Sequence, residues 1–209
     1  MTFLARHRII LPVVSLAVLL AATFYMQPRA MSYFGLNLLF NLAVPIALAT
    51  IAQMMIIMVN DIDLSLGAFV SLAACVTATF LNDAPLVGAA ILLASILAYA
   101  AIGALIHIRQ LPAIVVTLGM SFVWGGLAVL LLPSPGGAAL TWIRTVMTVK
   151  PPLVPMAVVA CILIAGLTHL LIMRSSTGTL LRAVGGNAQA VARSGWSVTK
   201  LKAGAYALA

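Results

Sequence analysis

Residues 84–106 read APLVGAAILLASILAYAAIGALI, an interval without one charged side chain. A helix rises 1.5 Å per residue, and about 20 residues cross a ~30 Å hydrocarbon core. Four further charge-free intervals have that capacity, at 30–60, 64–82, 110–143 and 151–173. Composition points the same way. Of 209 residues, 64% are hydrophobic and 7% charged, and the only acids are Asp61, Asp63 and Asp83. A soluble domain carries about 25% charged residues. The intervals predict an all-α fold, a polytopic transmembrane helix bundle forming a single domain over 1–209.

The net charge of +8 is an excess that nucleic-acid-binding proteins also show. Here the charge-free runs assign it to basic loops between spans, and nucleic acid is set aside as a partner. Cys75 and Cys161 lie inside separate apolar runs and read as small hydrophobes, with no metal or disulfide role. The chain has no CxxC, HExxH, GxSxG or P-loop pattern. Nothing in it binds and hydrolyses ATP by itself.

Six complete spans are expected, at 9–27, 36–59, 64–81, 86–106, 113–132 and 152–173. In the second, Pro45 removes a backbone donor and predicts a kink. The amides of Asn37, Asn41, Gln53 and Asn60 are costly at membrane depth unless neighbouring helices or a wet path receive them. The segment Asn60-Asp61-Ile62-Asp63-Leu64-Ser65 holds two of the three acids between apolar spans. Asp63 or Ser65 caps the third helix, or the segment is a break lining a transport path; the two readings are compatible. The fourth span repeats Ala90, Ala94 and Ala98 at i+4, a seam for close helix approach. The fifth contains Thr117, Gly119 and Ser121, small or hydroxyl residues suited to packing or to lining a path. The interval 133–150 reads as an external loop. Asp61, Asp63, Ser65, Asn41, Gln53, Thr117 and Gly119 are therefore the candidates for a translocation path.

The one long polar interval is 174–202, with five basic residues (Arg174, Arg182, Arg193, Lys200, Lys202) and no acid. Asn187 suits the N-cap of a short helix over 188–194, and Gly195 suits the C′ position that would stop it. Two turns fall far below the ~12–15 residues that hold helicity alone in water. Such a helix needs a surface, and Ala188, Val191 and Ala192 form a flat small-residue face for it. Six spans starting in the cytoplasm place eight basic residues inside, among them Arg6, Arg8 and Arg109. Arg29, Arg144 and Lys150 then lie outside. Eight against three obeys the positive-inside rule. Residues 203–209 read as the opening of a seventh helix too short to cross, so the chain is expected to be C-terminally incomplete.

Three motifs in order, NDIDLSLGA (60–68), LPAIVVTLGM (111–120) and GTLLRAVGGNAQAVARSGWSVTKLK (178–202), make most of the chain resemble the permease subunit of ribose-type monosaccharide ABC importers. These belong to the branched-chain amino-acid/monosaccharide permease superfamily. The third motif is the specific one, through Gly178, Arg182, Gly185, Gly186, Asn187, Ala190, Ser194, Gly195 and Lys200. The resemblance implies that these residues form an ATPase-coupling loop. It also implies a separate cytoplasmic ATPase dimer carrying ATP-Mg, a second permease copy, a periplasmic sugar-binding protein and a place in the bacterial inner membrane. Members usually have roughly ten helices, and Asn60-Asp61 stands where the pattern usually has two glycines.

The expected function is thus a non-enzymatic permease that moves a monosaccharide by alternating access, driven by the partner ATPase and holding no cofactor of its own. The alternative is an ion- or proton-coupled secondary transporter using Asp61 and Asp63 as a relay. A membrane-embedded enzyme would need a paired nucleophile and base at suitable spacing, which the sequence lacks. A partial bundle exposing helix faces meant for missing partners would be inactive.

Overall fold

The computed structural model describes residues 10–134, 136–138, 140–149 and 155–209. Arg6, Arg8 and Lys150 of the charge count, and residues 151–154 of the expected sixth span, lie outside the described residues. Among the described residues there are nine α-helices and no strand. They are α1 (Ile10–Met26), α2 (Tyr33–Met58), α3 (Leu66–Phe80), α4 (Pro85–Ile108), α5 (Ala113–Leu131), α6 (Thr141–Thr148), α7 (Met156–Thr168), α8 (Ser176–Arg193) and α9 (Val198–Leu208). A 3₁₀ turn, Pro28–Met31, joins α1 to α2, and a π turn, His169–Met173, extends α7.

Four helical segments are long and apolar enough to cross a bilayer: α2, α4, α5 and Met156–Met173. Six complete spans were expected, and among the described residues two of their helices fall short of that. The described helix α1 has 17 residues and α3 has 15. At 1.5 Å per residue α3 covers about 22 Å. The turns at 64–65 and 81–83 take residues that the apolar run would have lent to it. The interval expected as a loop also holds a helix, α6. The polar stretch 174–202 is mostly helical, made of α8 and the first turns of α9.

The ends of the helices follow from local chemistry. Side-chain oxygens of Ser32, Ser175 and Ser197 accept the backbone N–H of Gly35, Gly178 and Lys200 and open α2, α8 and α9. Three helices close alike. Asn60, Gln110 and Gly195 adopt positive φ of 62°, 51° and 87° just past α2, α4 and α8. The following amides of Asp61, Leu111 and Trp196 reach back to the carbonyls of Ile56, Ile106 and Val191. This is the Schellman arrangement, in which a left-handed residue turns the chain while last-turn carbonyls stay satisfied. Glycine does this most readily and asparagine next. Asn60 can therefore serve where a glycine would be expected.

Two apolar clusters hold the bundle. One joins Ile56, Leu72, Val76, Tyr99, Ile102, Ile106, Trp124 and Tyr206. The other seats α8 and α9 on the end of α2 through Met55, Val59, Leu181, Val184, Val191, Val198 and Ala205. Helix α4 approaches α9 at Gly103, where a Cβ would collide with the Tyr206 ring. The seam expected at Ala90, Ala94 and Ala98 is not the buried one: Ala90 and Ala94 are exposed and Ala98 is half-buried. The inward face is Gly88, Tyr99, Ile102, Gly103 and Ile106. Helix α2 continues through Pro45 without interruption.

The segment 60–63 lies against α9 at one end of the bundle. At the other end Asn82 donates to the Ala138 carbonyl (3.2 Å) and Ala138 donates to Ala78. The α3–α4 turn and residues 136–138 thus share an end. This is the alternation that the expected order of spans requires.

Candidate functional site

Between α2 and α3 seven residues, 59–65, lie outside the helices, yet Asp61, Asp63 and Ser65 in that break are buried. Non-helical backbone at membrane depth persists only where protein groups satisfy it. Here they do. Asp63 Oδ1 accepts from the backbone N–H (2.7 Å) and the hydroxyl (2.8 Å) of Ser65. Asp63 Oδ2 accepts from the Tyr99 hydroxyl on α4. Thr117 Oγ1 on α5 accepts the Leu64 N–H at 3.1 Å and donates to the Ala113 carbonyl of its own helix at 2.9 Å. Asp63 therefore shapes the turn that opens α3, whereas the Ser65 side chain caps nothing.

Asp63, Ser65 and Thr117 come together as one braced break, with Tyr99 added to them. Tyr99 was not foreseen. Its sequence signal is weak, one hydroxyl-bearing ring in an otherwise apolar run, although a buried tyrosine usually implies a partner for its hydroxyl. Phe69, Trp124 and Tyr206 surround its ring at centroid separations of 4.5, 6.3 and 5.8 Å. Gln53 and Asp63 line one open groove of about 510 Å³, with Thr50, Ile57 and Leu66. Asn41 is not part of this cluster; its amide donates to Asn37 Oδ1 at 3.2 Å. Gly119 faces outward two residues beyond Thr117, with nothing close to it.

Asp61 parts company with Asp63. Its two oxygens receive Lys202 Nζ of α9 at 2.8 and 2.9 Å, with both side chains largely buried at 8% and 13% exposure. A buried pair is a poor source of net stability, but removing one partner strands the other charge at a cost of about 3–5 kcal/mol. In the sequence Lys202 is one of five positive charges in a basic stretch. Nothing local in the sequence links it to a residue 141 positions away.

The stretch 174–202 divides by role. Gly178 and Gly185 are contact residues: a Cβ on Gly178 would overlap the Ile172 carbonyl, and one on Gly185 the Met58 carbonyl at the end of α2. Arg182 turns back on its own chain, donating to the Met173 carbonyl (3.1 Å) and Thr179 Oγ1 (3.3 Å). Asn187 leaves helical geometry at φ −158° and ψ 90°, and its Oδ1 accepts the Ala190 N–H at 2.9 Å. It caps a new short helix inside α8, which ends at Gly195. The face expected to dock this helix on a partner is partly taken by its own chain. Val191 is buried and Ala188 packs against the same cluster, because small apolar residues cover the end of α2 as well as any foreign surface. Ala192 stays exposed. The outward groove, about 510 Å³, is lined by Leu180, Ala183, Gly186, Asn187, Ala190, Ser194 and Trp196. Lys200 is exposed in the first turn of α9.

A family model described as branched-chain amino acid transport system, permease component, matches residues 35–209. The chain belongs to this permease family. It is a multi-pass membrane permease, and the matched residues include both the braced break and the capped helix. Neither a curated protein nor a solved structure matches it. Among the described residues no group of three or more His, Cys, Asp or Glu side chains is placed to hold a metal ion.

Proposed function

We propose that this permease is the membrane subunit of an ATP-driven importer that moves a monosaccharide by alternating access. A separate cytoplasmic ATPase dimer, carrying ATP-Mg, would drive it, and a second permease copy and a periplasmic sugar-binding protein would complete the assembly in a bacterial inner membrane. The amino terminus is cytoplasmic in this reading, which puts the capped helix on the ATPase side.

The observation that carries the proposal is the helix between Asn187 and Gly195. It is capped at both ends, anchored on the inside by Val191, and open on the outside along Gly186, Ala190 and Ser194. An element so rigidly held can transmit a displacement. The groove shared by Gln53, Thr50 and Asp63 offers amide and hydroxyl groups of the kind that exchange hydrogen bonds with a sugar. Relay chemistry through Asp61 and Asp63 has less support, because Lys202 engages one carboxylate and Ser65 with Tyr99 the other.

Ala190 is exposed, and Ala190→Trp fills the outward groove that it lines. With the permease reconstituted beside its ATPase and binding protein, sugar uptake and stimulation of ATP hydrolysis should each fall roughly tenfold, at unchanged membrane insertion. Uptake and stimulation at the level of the unaltered protein would refute the assignment.

A further inference from the structure

The capped helix and the braced break are linked by a short mechanical route. Helix α9 starts three residues beyond Gly195, with Ser197 capping it. Lys202, in its second turn, holds Asp61 through both carboxylate oxygens. One turn further, buried Tyr206 packs over Gly103 and beside Tyr99, whose hydroxyl holds Asp63. Both acids of the break are thereby referred to α9, one by charge and one through an aromatic contact. Asp61 occupies the C″ position of the Schellman turn that ends α2, so a pull on its side chain acts directly on the backbone that starts the break.

We infer that Asp61 and Lys202 are a pair of positioning residues, the joint through which movement of the 187–195 helix reaches the break that lines the path. This rests on reading that helix as the ATPase-docking element. The pair suits the task because it is strong only in one geometry. At 2.8 and 2.9 Å, with little solvent to screen it, it resists separation far more than an exposed pair would. Apolar contacts alone would let α9 slide over α2 with little directional penalty. Movement at one end is carried only where such an element has defined alternative arrangements to adopt.

The test uses the full chain in two arms. In the first, the reconstituted transporter carries Lys202→Met, Lys202→Arg, or the exchange Asp61→Lys with Lys202→Asp. Lys202→Met should retain stimulation of the ATPase while uptake per ATP hydrolysed falls about tenfold. Lys202→Arg should stay within about threefold of the unaltered protein, and the exchange should recover at least half the loss. A structural role alone would lower hydrolysis and uptake together. In the second arm, amide hydrogen exchange is followed in the permease alone in lipid nanodiscs. Lys202→Met should speed exchange at Asn60 and Asp61 about tenfold, with restoration by the charge exchange. Unchanged uptake per ATP in Lys202→Met, or a charge exchange that restores neither quantity, overturns the joint. Should Lys202→Met not insert, the double variant Asp61→Asn with Lys202→Met, which strands no charge, is read in its place in both arms. If the unaltered protein stimulates no ATPase, the functional reading fails, and the hydrogen-exchange arm alone then confirms or refutes the joint.

Discussion

Tyr99 presents its hydroxyl to Asp63 Oδ2 inside an otherwise apolar helix, and this one bond shows how the break is held. A carboxylate buried among helices must collect donors, since each unfilled position forfeits hydration without replacement. Ser65 supplies two and Tyr99 a third. Tyr99→Phe keeps the ring and its packing but withdraws that donor. It should lower stability by about 1–3 kcal/mol, measured by unfolding in mixed detergent micelles. A loss below about 0.5 kcal/mol would mean that the bond contributes nothing net. The acids Asp61 and Asp63 stood out in the sequence as the rare charges between apolar runs. The groups that hold them did not, because Tyr99 and Lys202 are 36 and 141 residues from the acid each one holds, whereas Thr117 was legible as a hydroxyl in an apolar span but not as the acceptor of the Leu64 amide. Only folding brings them near.

At the level of the helix, 187–195 shows local sequence and tertiary packing acting together. Asn187 as N-cap and Gly195 as C′ residue were legible, because caps are short-range chemistry. The helical run 176–186 ahead of the cap was not expected. The three glycines within it argue against helix on propensity alone, yet Gly185 is needed where α8 crosses the Met58 carbonyl. The inward turn of Val191 also escaped the sequence, since a face of Ala188, Val191 and Ala192 suits a partner or the chain itself equally well. Asn187→Ala removes the cap acceptor and should cost the short helix about 1 kcal/mol. Amide exchange at Gln189 and Ala190 should quicken roughly fivefold, while protection in α4 and α5 stays as it was. Equal acceleration throughout would show that the cap supports the whole bundle rather than its own two turns.

For the molecule as a whole, the alternation of ends predicts a labelling pattern. After Cys75 and Cys161 are replaced by serine, a cysteine at Asp83 should react with an impermeant maleimide from outside intact cells. One at Arg193 should react only after permeabilisation. Reaction of both from the same side would break the six-crossing order. The sequence by itself determined that this chain is an all-α membrane bundle, roughly where its helices lie and how several of them end. Those properties depend on runs of apolar residues and on caps within a few positions, which a linear reading contains. Tertiary structure alone decided that α3 is short, that α4 turns Gly103 rather than its alanine seam toward α9, and that Asp61 and Asp63 serve separate partners. The physical reason is that apolar helices carry almost no directional pattern. Every face of α4 is hydrophobic enough to be buried, so the fit of Tyr206 over Gly103 and the bond of the Tyr99 hydroxyl to Asp63 choose which face turns inward.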